Sequence, residues 1–336
     1  MKPFKKIDEQ IAILESRGLH FENESAARKL LMQYGYYEIV NGYNKFLLEN
    51  DEQFKKNEKF EHLFSIYRLD HDLQNAVLRS TLEVECLLKT SLSYFIAKEY
   101  GHDERTYLKR TNYKSGKRIY PANKKNQEEH DVFEIDLSLR KFNKIIHDNI
   151  EPFRHYREDH GHVPPWILFK GCTFGNMRHF YNLQRTEIKQ SVIRTMMGFP
   201  ESDIYSIPDY VVQLFSNTIF VSQKFRNRAA HGGRIVGYKA MSQNIQFNDY
   251  LEETLGITKE DFREGYGNGD YFSLFAYLRL LDNRRPLLLL IANTEYILEE
   301  HLKLYPEDRS LIFSSLGVPV QWHDRSVEEI FTHFVN

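Results

Sequence analysis

Residues Phe60 to Tyr100 read FEHLFSIYRLDHDLQNAVLRSTLEVECLLKTSLSYFIAKEY. Leu63, Phe64, Tyr67, Leu73, Val77, Leu87, Leu88, Leu92, Phe95 and Ile96 fall at helical spacing, and neither Gly nor Pro interrupts before Gly101. The stretch predicts one long helix, or two nearly collinear ones, and sets the fold class as all-α. Working outward, Ile7 to Glu15 reads as a helix closed by Gly18, and Ser25 to Tyr34 as a second with Ser25 as N-cap and Gly35 as its stop. The aromatic stretch Tyr36 to Phe46 fits strand or loop. Further helices are expected over Asp136 to Tyr156, Gly175 to Leu183, Glu187 to Met197, from Pro208 onward, over Asn248 to Leu255, and over Tyr271 to Leu302 with an interruption at Pro286. These elements divide the chain into an N-terminal helical region over 1–55, a core over 56–240 and a C-terminal helical extension over 241–336.

At 336 residues and 41% hydrophobic, the chain is long enough for a sizeable core in one large domain or two smaller ones. A formal net charge of −2 argues against a general polyanion binder, so any nucleic-acid contact must come from local patches. Two cysteines, Cys86 and Cys172, make no disulfide framework and point to a reducing compartment. The first residues carry charge where a signal peptide needs an apolar run, and the strongest apolar run, Pro286 to Ala292, is far short of the roughly 20 residues that span a bilayer. The expectation is a cytoplasmic protein with no membrane contact and no cofactor.

The segment with the most chemistry is Phe225-Arg226-Asn227-Arg228-Ala229-Ala230-His231-Gly232-Gly233-Arg234. An apolar-periodic helix through Val211, Val212, Phe215, Ile219 and Phe225 leads into it, and the glycine pair stops it. Five residues are about 140° of helical rotation, so Arg226 and His231 share a broad face only if the last turn unwinds. The partial negative charge of the final carbonyls suits His231 to carry and shuttle a proton. Arg226 suits a phosphate, which its planar fork can grip. No acidic residue occurs from Val211 to Asn248, while Lys224, Arg226, Arg228, Arg234 and Lys239 are basic. The plainer reading is a helix C-terminus where cations are favourable and a His fills a cap position. Arg157 to His162 has the same spacing in a polar, acidic turn and is attributed to chance.

Arg226-Asn227, Ala230-His231 and Arg234 together resemble the Arg-Asn-x-x-Ala-His-x-x-Arg signature of the bacterial abortive-infection (Abi) proteins of the AbiD/AbiF type, members of the HEPN superfamily. Similarity extends to Lys2-Pro3, Ile7 to Ile11, Ser16 to Leu19, Tyr36-Tyr37 and Gly42-Tyr43, to Phe60 to Leu63 with Tyr67 and Asp70, and to Pro165-Trp166, Thr173 to Gly175 and Tyr181. These blocks keep the family's order as far as about Tyr238. Two departures stand out: Ala229 replaces a frequent Cys, and Lys170 replaces a frequent acid.

The resemblance implies a HEPN-like helical bundle and, as in active relatives, a metal-independent endoribonuclease assembled as a homodimer, acting as a toxin in anti-phage defence. It assigns Arg226 to stabilising the phosphorane, Asn227 to orienting the site and His231 to acid or base catalysis, with Arg234 toward the RNA; Arg228, outside the signature, is a further RNA-binding candidate through its charge at the same helix end. Relatives of the AbiF type are associated with noncoding RNA, which leaves a non-catalytic RNA-binding or partner-binding protein as the alternative.

A second feature is Arg105 to Lys125, with eight basic residues, among them Lys114, Lys117 and Arg118, no acidic ones, and Tyr107, Tyr113 and Tyr120 interleaved. Such a segment can track a phosphate backbone and stack unpaired bases. It can equally be a solvated loop balanced by the acidic run Glu128 to Asp136. For a metal, the clustered His155, His160 and His162 lack cysteine ligands and an apolar helix, so no metal site is expected. Gly265 to Gly269 reads as a flexible turn, because no strand precedes it as a nucleotide cradle requires.

Overall fold

The computed structural model describes residues 4–121, 131–200, 206–240 and 245–335. It is all-α. In chain order the helices are α1 (Ile7–Ser16), α2 (Glu24–Tyr34), α3 (Phe60–Tyr100), α4 (Glu104–Tyr107), α5 (Glu134–Ile146), α6 (Phe153–Asp159), α7 (Pro165–Leu168), α8 (Phe174–Asn182), α9 (Thr186–Met197), α10 (Asp209–Ala230), α11 (Asp249–Leu255), α12 (Lys259–Glu264), α13 (Tyr271–Arg279), α14 (Arg285–Leu304), α15 (Arg309–Leu316) and α16 (Val327–Val335). Two short strands, β1 (Arg118–Tyr120) and β2 (Val132–Phe133), pair antiparallel.

Residues 60 to 100 form one helix of 41 residues rather than two, as the unbroken apolar period allows. Elsewhere local chemistry moves the boundaries. The N-cap of α2 is Asn23, whose Oδ1 accepts the Ala26 N–H over 3.0 Å, and Ser25 lies within the first turn. Tyr36 to Phe46 is neither strand nor plain loop: it holds a π-helical turn over Tyr37–Asn41 and a 3₁₀ turn over Asn44–Phe46. The single helix expected over 136–156 is two, because Pro152, just before α6, has no N–H to continue a ladder. In the C-terminal pair the break precedes Pro286. α13 ends at Arg279, Asn283 Oδ1 accepts the Arg285 N–H over 3.0 Å, and Pro286 falls in the first turn of α14, where a missing donor costs nothing.

The chain divides into two compact units, neither continuous in sequence, with cuts inside α3, α10, α13 and α14. One comprises Met1–Arg79, Phe225–Ala276 and Leu288–Asn336. Its first core layer is built from Leu14 and Leu31 of α1 and α2, Ile39 and Val40 of the π turn, and Phe60 and Leu63 of α3, each no more than 2% exposed. A second layer packs Phe272 and Phe275 of α13 against Phe331 and Phe334 of α16, with ring centroids 5.1 to 6.5 Å apart. The other unit comprises Ser80–Lys224 and Tyr277–Leu287. Phe142, Phe169 and Phe180 meet there at its centre, at 4.7 to 6.1 Å. Ser80 Oγ donates to the Pro286 carbonyl over 2.7 Å and fixes one end of α14 within this unit.

Candidate functional site

The C-terminus of α10 carries the Arg226 to Arg234 motif in the unit that holds the N-terminal helices. Phe225, fully buried, anchors this last turn edge-on against Tyr238 at 5.1 Å and faces Tyr271 at 6.1 Å. The ladder continues to His231, whose N–H donates to Asn227 O over 3.2 Å. The closure then comes from the two glycines. Gly232 N–H donates to Ala229 O over 3.0 Å and Gly233 N–H to Arg228 O over 2.8 Å, with Gly232 in the left-handed region at φ 65°.

Unwinding therefore begins after His231, not before it. Arg226 and His231 leave the helix about 140° apart, whereas Asn227 and His231, four residues apart, lie one above the other. Asn227 links the two: its Oδ1 accepts from Arg226 Nη1 over 3.3 Å, and His231 stands one turn further on. Arg226 and Asn227 are half-buried and His231 is exposed.

The two other arginines are tied to the backbone of the same region. Arg228 Nε donates to Arg234 O over 3.0 Å, and its guanidinium stands 5.2 Å from the centre of the Tyr238 ring. Arg234 Nη1 donates to Gly42 O over 2.5 Å beside the Phe46 ring. Arg234 thus fastens the loop after α10 to the turn before α3, while Arg228 remains exposed.

Sequence reasoning missed Asp70 as part of this arrangement. Although no acid occurs near Arg226 in sequence, the Asp70 carboxylate, fully buried on α3, accepts the N–H groups of Ile235 and Val236 on one oxygen, over 2.8 and 2.6 Å. The other oxygen accepts from Tyr43 Oη over 2.7 Å and from Gln74 Nε2 over 3.0 Å. Burial pushes the Asp70 carboxyl up, against the four hydrogen bonds that favour its charge. The signal was present: Asp70 sits on the apolar stripe between Tyr67 and Leu73, a charge on a face that must be buried.

In the other unit the basic segment is only partly available. Tyr107 and Tyr113 are buried, the first donating to Val163 O over 2.6 Å and the second to Tyr107 O. They are core residues, which corrects their reading as stacking platforms; of the three tyrosines only Tyr120 is exposed. Arg105 pairs with Asp103, Arg110 with Asp136 and Arg118 with Asp131, so much of this charge is locally balanced. Lys114 and Lys117 are exposed, and Lys124 and Lys125 lie outside the described residues. In the cluster considered for a metal, His155 and His160 are exposed and His162 is half-buried, with His155 against Asp159 and His162 Nδ1 facing His160 O.

A buried cluster joins residues that sequence spacing does not connect. His62 at the start of α3, His301 near the end of α14 and Asp308 just before α15 converge, with ligand atoms within 4.8 Å of one another. The Asp308 carboxyl is held down at about 2: burial opposes its charge, and hydrogen bonds from His301 and His62 overcome that.

No helix among the described residues is long and apolar enough to cross a membrane. The family model described as Abi-like protein matches residues 29–236, which includes the motif as far as Arg234 and the Asp70-bound loop. No curated protein and no solved structure matches the chain.

Proposed function

The chain belongs to the Abi-like protein family, and from that premise we propose that it is a HEPN-type endoribonuclease of the AbiD/AbiF kind, a toxin acting in abortive-infection defence against phage. The observation that carries the reading is the end of α10, where a half-buried guanidinium is hydrogen-bonded to Asn227 and an exposed imidazole stands one turn beyond.

RNA brings its own nucleophile. The 2′-oxygen attacks phosphorus as its proton passes to a base, the bond to the 5′-oxygen breaks, and that oxygen takes up a proton. The products are a 2′,3′-cyclic phosphate and a 5′-hydroxyl. Arg226 neutralises the charge that builds on the non-bridging oxygens, often the largest catalytic contribution. His231 moves one of the protons, a contribution of about 10²- to 10⁴-fold. Asn227 holds the guanidinium in place. One imidazole cannot be acid and base in the same step, and Arg226 and His231 diverge along α10; both points favour a site completed by a second copy in a homodimer. Arg228, exposed at the same helix end, contributes charge toward the RNA, with Lys114, Lys117 and Arg118 as a further contact.

Purified wild-type, Arg226→Ala and His231→Ala proteins incubated with total RNA without added divalent cations test the reading. New 2′,3′-cyclic phosphate ends made by wild type alone are expected. RNA that co-purifies uncut with all three proteins would replace the enzyme with an RNA-binding protein.

A further inference from the structure

We propose that His62 Nε2, His301 Nε2 and Asp308 Oδ2 form a binding site for one zinc-class divalent cation. The site shares no residue with the ribonuclease motif and does not depend on that reading.

The three side chains come from parts of the chain up to 246 residues apart, yet each is about 5% exposed or less. Asp308 Oδ2 is 2.8 Å from His62 Nε2 and 2.9 Å from His301 Nε2. Ligands at ~2.0–2.1 Å around a four-coordinate zinc stand about 3.3 Å apart, so the two carboxylate–imidazole separations need to widen by only a few tenths of an ångström, and all three ligand atoms already lie within 4.8 Å of one another.

The outer nitrogens make the stronger argument. His62 Nδ1 faces Glu58 Oε2 over 2.8 Å, and His301 Nδ1 faces Ser65 Oγ over 3.0 Å. Both Nε2 atoms share protons with Asp308; when a cation takes the place of those protons, Nδ1–H donating to Glu58 and Ser65 leaves both Nε2 lone pairs for the ion, the tautomer a metal needs. The His62 ring is also stacked on Tyr305, 4.0 Å between centroids and 5° from parallel, which fixes its plane.

Two imidazoles and a carboxylate suit zinc or cobalt, and are poor in oxygen for calcium or magnesium. A cleft of about 320 Å³ lined by Ser65, Leu304 and Tyr305 reaches His301, one of the three ligands. Bound there, the ion would clamp the start of α3 to the end of α14 and the start of α15, so metal affinity would appear as stability.

The test uses the full chain stripped by a chelator, desalted, and titrated with Zn²⁺ or Co²⁺ alone. Expected results are one zinc retained per chain, the intense visible absorption of tetrahedral Co²⁺, and a melting temperature raised by zinc. His301→Gln and Asp308→Asn should lose all three. Glu58→Gln, which leaves the ligands in place, should weaken zinc affinity about 10- to 100-fold. Should the ligand variants fail to fold, wild type and Glu58→Gln still decide. A folded wild type that keeps no stoichiometric metal and melts at the same temperature with and without zinc would overturn the site and leave a cluster held by protons only, as would zinc affinity unmoved in Glu58→Gln.

Discussion

The Asp70 carboxylate accepts the backbone N–H of Val236 over 2.6 Å and so binds the loop that follows the motif helix to the N-terminal third of α3. Ile235 N–H uses the same oxygen, and Tyr43 donates to the other. In Asp70→Asn the carboxamide has one accepting oxygen, so either the two loop amides or the Tyr43 hydroxyl faces an NH₂ group. A buried donor without an acceptor costs about 1–3 kcal/mol. Urea denaturation should show a loss of that size, and amide exchange should show Ile235 and Val236 losing protection first. Equal protection in the variant would mean the carboxylate does not hold the loop.

Gly232 closes the motif helix at φ 65°, and no atom lies within 4 Å of where its Cβ would be. The cost of Gly232→Ala is therefore conformational, about 1–2 kcal/mol. A larger part of the effect should fall on cleavage than on stability, because the turn sets where His231 points. Wild-type cleavage in a variant destabilised by that amount would separate the turn from the chemistry.

Much of this was legible in the chain. The unbroken apolar period of residues 60–100 announces helix throughout, leaving open one helix or two collinear ones where the structure has one, and Asn248 and Gly256 mark the ends of α11, because caps are local chemistry. Long-range pairing was not legible. Nothing within a few residues of His62 announces His301 or Asp308, and Tyr107 and Tyr113 sit among basic residues yet point inward to the core. Tyr36 to Phe46 misled for another reason: its aromatic density resembles a strand, but the residues pack as a π turn against α2 and α3, where tertiary burial overrides period.

Exposed Lys114 and Lys117 and the Asp131-paired Arg118 predict a graded effect on RNA binding. Glu at all three positions should weaken binding and flatten its dependence on salt, by about 0.7 in log–log slope for each single-strand phosphate that the protein no longer neutralises. Arg118→Glu alone should do least, since Asp131 already offsets its charge. Fluorescence anisotropy across a salt series measures the slope; an unchanged slope in the triple variant would remove this segment from the interface.

The turn at Gly265 to Gly269 is ordered by Asp270, whose Oδ2 accepts the Gly267 N–H and whose Oδ1 accepts the Ser273 N–H, each over 2.7 Å. Burial pushes the Asp270 carboxyl up to about 7, and these hydrogen bonds only partly oppose it. In the unfolded chain the group titrates near ~3.9. Between about pH 4 and 7 the folded state therefore holds more protons, and stability falls as pH rises through that window, by up to about 1.4 kcal/mol per unit, then levels off. Asp270→Asn lacks this component, so wild type should lose stability relative to the variant from pH 4 to 7. A difference that stays constant with pH would show that Asp270 ionises normally.

At the motif, exposure and hydrogen bonding separate the roles of three neighbours. His231 is exposed and makes no packing contribution to the core, so His231→Ala should change stability within about 0.5 kcal/mol while lowering the cleavage rate about 10²- to 10⁴-fold. Arg226→Lys keeps a charge but loses the planar fork that grips phosphate and bonds Asn227, so cleavage should fall while RNA affinity falls much less. Asn227→Asp places a carboxylate against Arg226 and competes with the phosphate for the guanidinium; it should therefore weaken RNA binding more than Asn227→Ala does. Single-turnover rates alongside binding constants separate these outcomes. If Asn227→Ala and Asn227→Asp bind and cleave alike, the Arg226 to Asn227 contact has no part in orienting the site.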